Sequence, residues 1–424
     1  MKFAPLPDND FAEFIQIYYD ECRARFSRIE AIGGKWAFRD LRPAMSDFDT
    51  RFICTDTMTP DDWCAMSMAV ADVHLDLCNR HAHWARNLEH LPGINLTWSE
   101  LSDEDSYYPE YGQWSFYHTS QPERLADVQA AWASRPWDKK DEYFHLSKFR
   151  TYFGRYNRTI DPPINMGAHV NKYGLHSRVM HYFSPPVMSA MSVLTRRNFP
   201  GKLDAFDMAE QMFPRLACWA RIREYLDASY EIPSAYEEPA LIEFEDELEA
   251  ALVAIGERLA CEATLLPNEL GTDMDGWTRA LQAADVPLLF TMFNHSRFSR
   301  LMKGRLYFYV HAPIHFDSDD LIGIEIRRIG DNFFRIPFAA YWKLKTGRTV
   351  ENPETILNDM IDDPLTKDDV TAVREFARIT ASRDIAGRER KLALDIIDVF
   401  DNFYRALARL IIGARNYSNE HPDA

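Results

Sequence analysis

Asp47 and Asp49 flank a single phenylalanine in the run Ser46-Asp47-Phe48-Asp49, which leads into Arg51-Phe52-Ile53-Cys54. Alternate side chains of a strand share a face, so a strand over 47–54 turns both carboxylates one way and Phe48 the other. Two adjacent carboxylates repel unless a cation neutralises them. A hard divalent ion such as Mg²⁺ answers that need, and it commonly bridges carboxylates to substrate phosphates. Upstream, Gly33-Gly34 suits a tight approach of backbone to a ligand, where successive N–H groups can hold phosphate oxygens. Lys35, Arg39 and Arg42 add positive charge for a polyphosphate. The plainer reading of the same residues is a solvated turn followed by a half-exposed strand.

The elements that must hold these residues are readable in outline. Apolar positions at Phe11, Phe14, Ile15, Tyr18, Tyr19, Cys22 and Phe26 recur with helical spacing. Thr59-Pro60-Asp61-Asp62 is a helix start, and that helix runs to about Asn87 or Glu89. Leu91-Pro92-Gly93 ends it, and Ile94 to Trp98 alternates as a strand. Trp114 to Tyr117 reads as a further strand. Helices dominate from Asp138 to about 285. Between 288 and 340, LYFYVHAPIHF and IGIEIRRI alternate as strands of a hairpin. Its His311, His315 and Asp317 fit a hairpin rim better than a zinc site. Two helices over 367–415 close the chain.

The order of glycine pair, basic linker, serine and Asp-x-Asp resembles the signature of the nucleotidyltransferase superfamily, related to DNA polymerase beta and kanamycin nucleotidyltransferase. The resemblance spans about the first 120 residues; Gly34 stands where that family usually has serine, and the linker is slightly long. It implies a small mixed-sheet catalytic domain (1–135); the pattern along the rest of the chain adds a helical domain (136–285) and a mixed, then helical, C-terminal domain (286–424) holding the small β insertion, an α+β fold in all. The resemblance implies transfer of a nucleoside monophosphate from an NTP to a small-molecule acceptor, with Asp47 and Asp49 binding Mg²⁺. Gly33, Gly34, Lys35 and Ser46 would cradle phosphate. The family's third strand carries a further carboxylate. Here that strand offers Asn95; the nearby acids are Glu89, Glu100 and Asp103, and Glu100 is the choice, at the strand end. A later helix supplies basic groups to the triphosphate, and Lys172 is the choice for that role.

Composition narrows the partners. The formal charge of −17 repels a long nucleic acid unless a basic patch overrides it, and no basic run stands out. A hydrophobic share of 46% with 27% charged residues fits an ordinary folded chain. Six scattered cysteines form no Cys-x-x-Cys pair, which points to reduced thiols and a cytoplasmic protein. No apolar run reaches membrane-span length, and the N-terminus lacks a signal-peptide core. A homo-oligomer is left open. Two other readings compete: a glycosyltransferase using Asp47-Phe48-Asp49 to hold a nucleotide-sugar's metal, and a catalytically degenerate fold kept for nucleotide binding or regulation.

Overall fold

The computed structural model describes residues 10–35, 40–41, 46–81, 84, 87–156, 178–231, 241–284, 286, 288–312, 318–382 and 385–421. It is a mixed α+β architecture: a small four-stranded sheet and a large, mostly helical remainder. No described helix is long and apolar enough to cross a membrane.

Helix α1 (Asp10–Arg25) precedes β1 (Ile29–Gly34) and β2 (Thr50–Cys54). Helix α2 (Pro60–Arg80) starts at Thr59, whose hydroxyl and Asp62 form a reciprocal capping box. It stops at Arg80, earlier than its apolar pattern predicts. Then come β3 (Leu96–Thr97), the short α3 (Trp98–Ser102), β4 (Ser115–Thr119) and α4 (Pro122–Ser134). The sheet order is β3-β2-β1-β4, with β1 antiparallel to both neighbours and β2 parallel to β3. Strands β1, β2 and β3 bury both faces, while β4 is half-buried along its length. Ile32, Phe52 and Cys54 join the largest core, while Ala31, Ile53 and Leu96 pack on the opposite side with Trp98, Tyr111 and Trp114.

Helix α5 (Lys139–Tyr156), α6 (Ser184–Thr195), α7 (Lys202–Met212), α8 (Cys218–Glu231), α9 (Leu241–Glu262) and α10 (Met274–Ala283) follow. Their buried residues, from Leu146 to Leu281, form a core of their own. The last stretch holds α11 (Leu288–Ser299), α12 (Met302–His311), α13 (Ser318–Ile329), α14 (Ile336–Thr346), α15 (Lys367–Thr380) and the long α16 (Glu389–Glu420). Its apolar faces share one core with α1, α2 and the sheet, running from Phe14 to Ala414.

The β insertion expected between 288 and 340 is not formed: the described residues there are helical. Leu321, Ile322, Glu325, Ile326 and Ile329 are the buried positions of α13. Those steps follow a helical stripe, which the short Ile-Gly-Ile-Glu-Ile alternation concealed. His311 ends α12, whereas His315 and Asp317 lie outside the described residues.

Candidate functional site

The glycine pair occupies the end of a central strand. Gly33 faces Arg51 on β2 and Phe116 on β4; Gly34 faces Thr50 and Ser115. A Cβ on Gly33 would lie 2.9 Å from the Ser115 carbonyl, and one on Gly34 2.6 Å from the Tyr117 hydroxyl. Glycine is needed here for close approach between strands. Immediately after the pair, the Lys35 N–H donates to the Asp49 carbonyl at 3.1 Å, so the strand end and the aspartates are neighbours.

Asp47 and Asp49 stand in the irregular lead-in to β2, not on the strand itself. Phe48 between them is buried edge-on against Phe14. Two backbone bonds tie this lead-in to the segment after α2: Phe48 N–H to the Asn87 carbonyl (3.2 Å), and Gly93 N–H to the Thr50 carbonyl (3.2 Å). Glu89 and His90 lie between those anchors. Asp47, Glu89 and His90 each offer a ligand atom, all within 4.8 Å of one another. His90 Nε2 meets Glu89 Oε1 at 2.9 Å, and its Nδ1 pairs with the Tyr309 hydroxyl. Two carboxylates and an oriented imidazole can hold a divalent cation. Asp49 lies beside this group and outside it.

These residues open into a cleft of about 530 Å³. Lys35, Arg51, Arg305, Arg327 and Arg328 line it against Asp47, Asp49, Glu110 and Glu325, with His90 between. Burial and the Asp47 charge push the Asp49 carboxyl up; Lys35, Arg51 and His90 outweigh them, so it stays below the usual carboxylate range. Burial also opposes ionisation of Glu110, yet Lys35 and Arg51 bring it down to about 2. Glu325 is likewise held at about 2 against its burial by Arg328 and Arg305. Arg327 is exposed at the rim and forms no ion pair among the described residues. Just behind, burial and the charge of Lys35 lower the Lys148 ammonium to about 7, and burial lowers Lys202 to about 8 despite Asp40, Asp47 and Asp49. Basic and acidic side chains are thus interleaved along this cleft, with Arg327 an exposed cation at its rim.

The structure places two of the remaining sequence candidates, Ser46 and Glu100, away from the cleft. Ser46 is buried, its carbonyl accepting from Asn87 Nδ2 at 3.3 Å, and it does not line the cleft. Glu100 is the third residue of α3, where it and Thr97 form a capping box. Arg300 binds both its oxygens at 2.6 Å, and Glu100 does not line the cleft either. Lys172, Arg39 and Arg42 lie outside the described residues. Sequence reasoning passed over Glu89 and His90 as partners of Asp47; the available signal was an adjacent acid–imidazole pair just before Leu91-Pro92-Gly93.

Comparison with family models, with curated proteins and with solved structures finds no match.

Proposed function

We propose that the chain is a metal-dependent nucleotidyltransferase, moving a nucleoside monophosphate from an NTP to a small-molecule acceptor. The observation that carries this reading is the Lys35–Asp49 backbone bond of 3.1 Å. It sets the Gly33-Gly34 strand end beside both aspartates, at a cleft whose cations suit a polyphosphate.

Asp47, Glu89 and His90 are the residues that would hold the divalent cation, which when bound supplies positive charge to the reacting phosphate. The imidazole favours Mn²⁺ over a purely oxygen-ligated Mg²⁺. Lys35 and Arg327 meet phosphate oxygens from two sides. Asp49, kept ionised by Lys35 and Arg51, accepts a hydrogen bond from the acceptor hydroxyl and orients it. The acceptor oxygen bonds to the α-phosphorus as the bond to the bridging oxygen breaks. Pyrophosphate leaves, and the acceptor proton passes to solvent. Positioning and charge supply most of the acceleration in phosphoryl transfer, so no further reactive group is required.

The test is pyrophosphate release on incubation with each NTP, Mn²⁺ or Mg²⁺ and a metabolite extract. Asp47→Asn and Asp49→Asn should each abolish it; release that survives both substitutions sinks the proposal. One observation favours a binding protein without turnover. Asn95, just before β3 and offered by the sequence where the resemblance calls for a carboxylate, is consumed by the Phe52 N–H (2.9 Å) and the carbonyls of Pro92 (3.2 Å) and Gly93 (2.8 Å). Nucleotide binding with no pyrophosphate from any NTP would support that second reading.

A further inference from the structure

A second cavity, of about 380 Å³, lies between the segment 107–114, the C-terminal part of α4, the start of α5 and the residues after α6. It is independent of the cleft, although one short turn separates them: Glu110 borders the cleft while Tyr111 and Gly112 border this cavity. Its walls are aromatic, with Tyr107, Trp114, Trp132 and Trp137 prominent. Tyr107 and Trp132 meet edge to face at 6.1 Å, and His145 stacks on Trp137 at 5.5 Å and pins that ring. Such walls accept a planar ring.

Asp141 lines the same cavity and is fully buried. Its Oδ2 is used by Arg135 Nη1 (2.7 Å) and the Asp138 N–H (3.0 Å), while Oδ1 has no hydrogen-bond partner. A buried carboxylate oxygen with no donor is costly, and a small turn of the Asp141 side chain would present it to a donor in the cavity. Burial raises the Asp141 carboxyl despite Arg135, as an incompletely satisfied carboxylate should behave. At the other side stand Arg196 and Arg197, both exposed and without an ion pair among the described residues. Arg196 adopts a left-handed conformation (φ 53°) at the C-terminal cap of α6, a place normally given to glycine. Residues held in such conformations concentrate at binding sites.

We propose that this cavity binds a purine nucleoside monophosphate. The base lies among the tryptophans, one of its N–H groups donates to Asp141 Oδ1, and its phosphate meets Arg196 and Arg197. The three features are complementary to the three parts of such a ligand: a two-ring π surface, an N–H donor on its edge, and an anion.

Equilibrium dialysis of the full chain against GMP and AMP tests this, with UMP and ribose 5-phosphate as comparators. Saturable binding of a purine nucleotide is expected, with ribose 5-phosphate at least tenfold weaker for want of a ring. Arg196→Ser/Arg197→Ser, both at exposed positions, should weaken binding at least tenfold and reduce its salt dependence. Asp141→Asn should also weaken it, with circular dichroism confirming the fold. Asp49→Asn, in the cleft, should leave it unchanged. The proposal is overturned if neither purine nucleotide binds, if the arginine pair can be removed without effect, or if Asp49→Asn abolishes binding and so assigns the nucleotide to the cleft.

Discussion

Arg300 holds Glu100 at two points, Nη1 to Oε2 and Nη2 to Oε1, each 2.6 Å long, and the same Nη1 reaches the Asn95 carbonyl. Burial would raise the Glu100 carboxyl, but Arg300 and Arg297 bring it down to about 2. This pair fastens α3 to the turn between α11 and α12. Glu100→Gln leaves a buried guanidinium without its counter-charge, and stability should fall by about 3–5 kcal/mol in urea denaturation. The variant that remains folded should still bind Mn²⁺ normally. A loss of metal affinity in the folded variant would return Glu100 to the site.

Tyr309 is the residue that orients His90 from behind. Tyr309→Phe keeps the ring and removes the hydroxyl. Mn²⁺ affinity, read by calorimetry, should drop about 10–100-fold, the usual effect of deleting a ligand's hydrogen-bond partner. His90→Ala should do at least as much. Unchanged affinity in both would exclude His90 as a ligand.

Stability should decline in mild acid before most carboxylates titrate. Burial holds His74 and His145 at about 3, against an ordinary histidine value of 6.5. Between those values the unfolded chain carries protons that the folded chain refuses. Their favourable contribution is therefore complete above pH 6.5 and is lost as pH falls toward 3. Each histidine contributes a slope of about 1.4 kcal/mol per pH unit in that window. Urea midpoints at pH 7, 6, 5 and 4 measure it; a flat profile down to pH 5 contradicts the prediction.

Polyanion binding should strengthen as pH falls from 8.5 to 6.5. Lys148 at about 7 and Lys202 at about 8 are partly neutral in the free protein over this range. A bound polyphosphate favours their charged forms, so binding takes up protons. Tripolyphosphate affinity should gain up to about tenfold per pH unit for each lysine that charges on binding. Lys148→Met should flatten the profile relative to the parent chain. Parallel profiles would place Lys148 out of reach of the anion.

Gly304→Ala should be among the most damaging single-methyl changes. An added Cβ would stand 2.0 Å from the Ser67 carbonyl oxygen, where α12 crosses α2, and the Gly304 N–H already binds Ser67 Oγ at 2.7 Å. The obstacle is helix backbone, which cannot rotate aside. A loss at the upper end of the 1–3 kcal/mol range for overpacking, or about 3 kcal/mol, is expected in thermal or urea unfolding.

Local signals carried the coarse architecture. Thr59-Pro60-Asp61-Asp62 announced α2 and the apolar run around Ile53 announced β2, because capping chemistry and burial alternation act within a few residues; the Ile29–Gly34 run reads as a turn at a glycine bend, yet it forms the central strand β1. Thr97-x-x-Glu100 was an equally local capping signature. It explains why Glu100 belongs to a helix start, and it was outweighed by the alternation of Ile94, Leu96 and Trp98. What escaped the sequence depends on distant partners. Arg300 is 200 residues from Glu100. Tyr309 is 219 residues from His90. Glu89 and His90 reach Asp47 only because the 87–93 segment is bonded to the lead-in of β2. The helix α13 was concealed because Ile322, Ile324 and Ile326 at alternate positions mimic a strand until the window is widened to a full helical stripe.

The apolar faces of α1, α2 and the sheet are covered by α12, α13 and α16. During synthesis the first ninety or so residues therefore leave the ribosome with this face uncovered until α12 and the helices after it emerge. The middle helices, with their self-contained interior, are equipped to settle first. A nascent chain stalled before α16 should carry an ordered centre and a protease-sensitive start, which makes the beginning of this polypeptide the segment most dependent on chaperone protection.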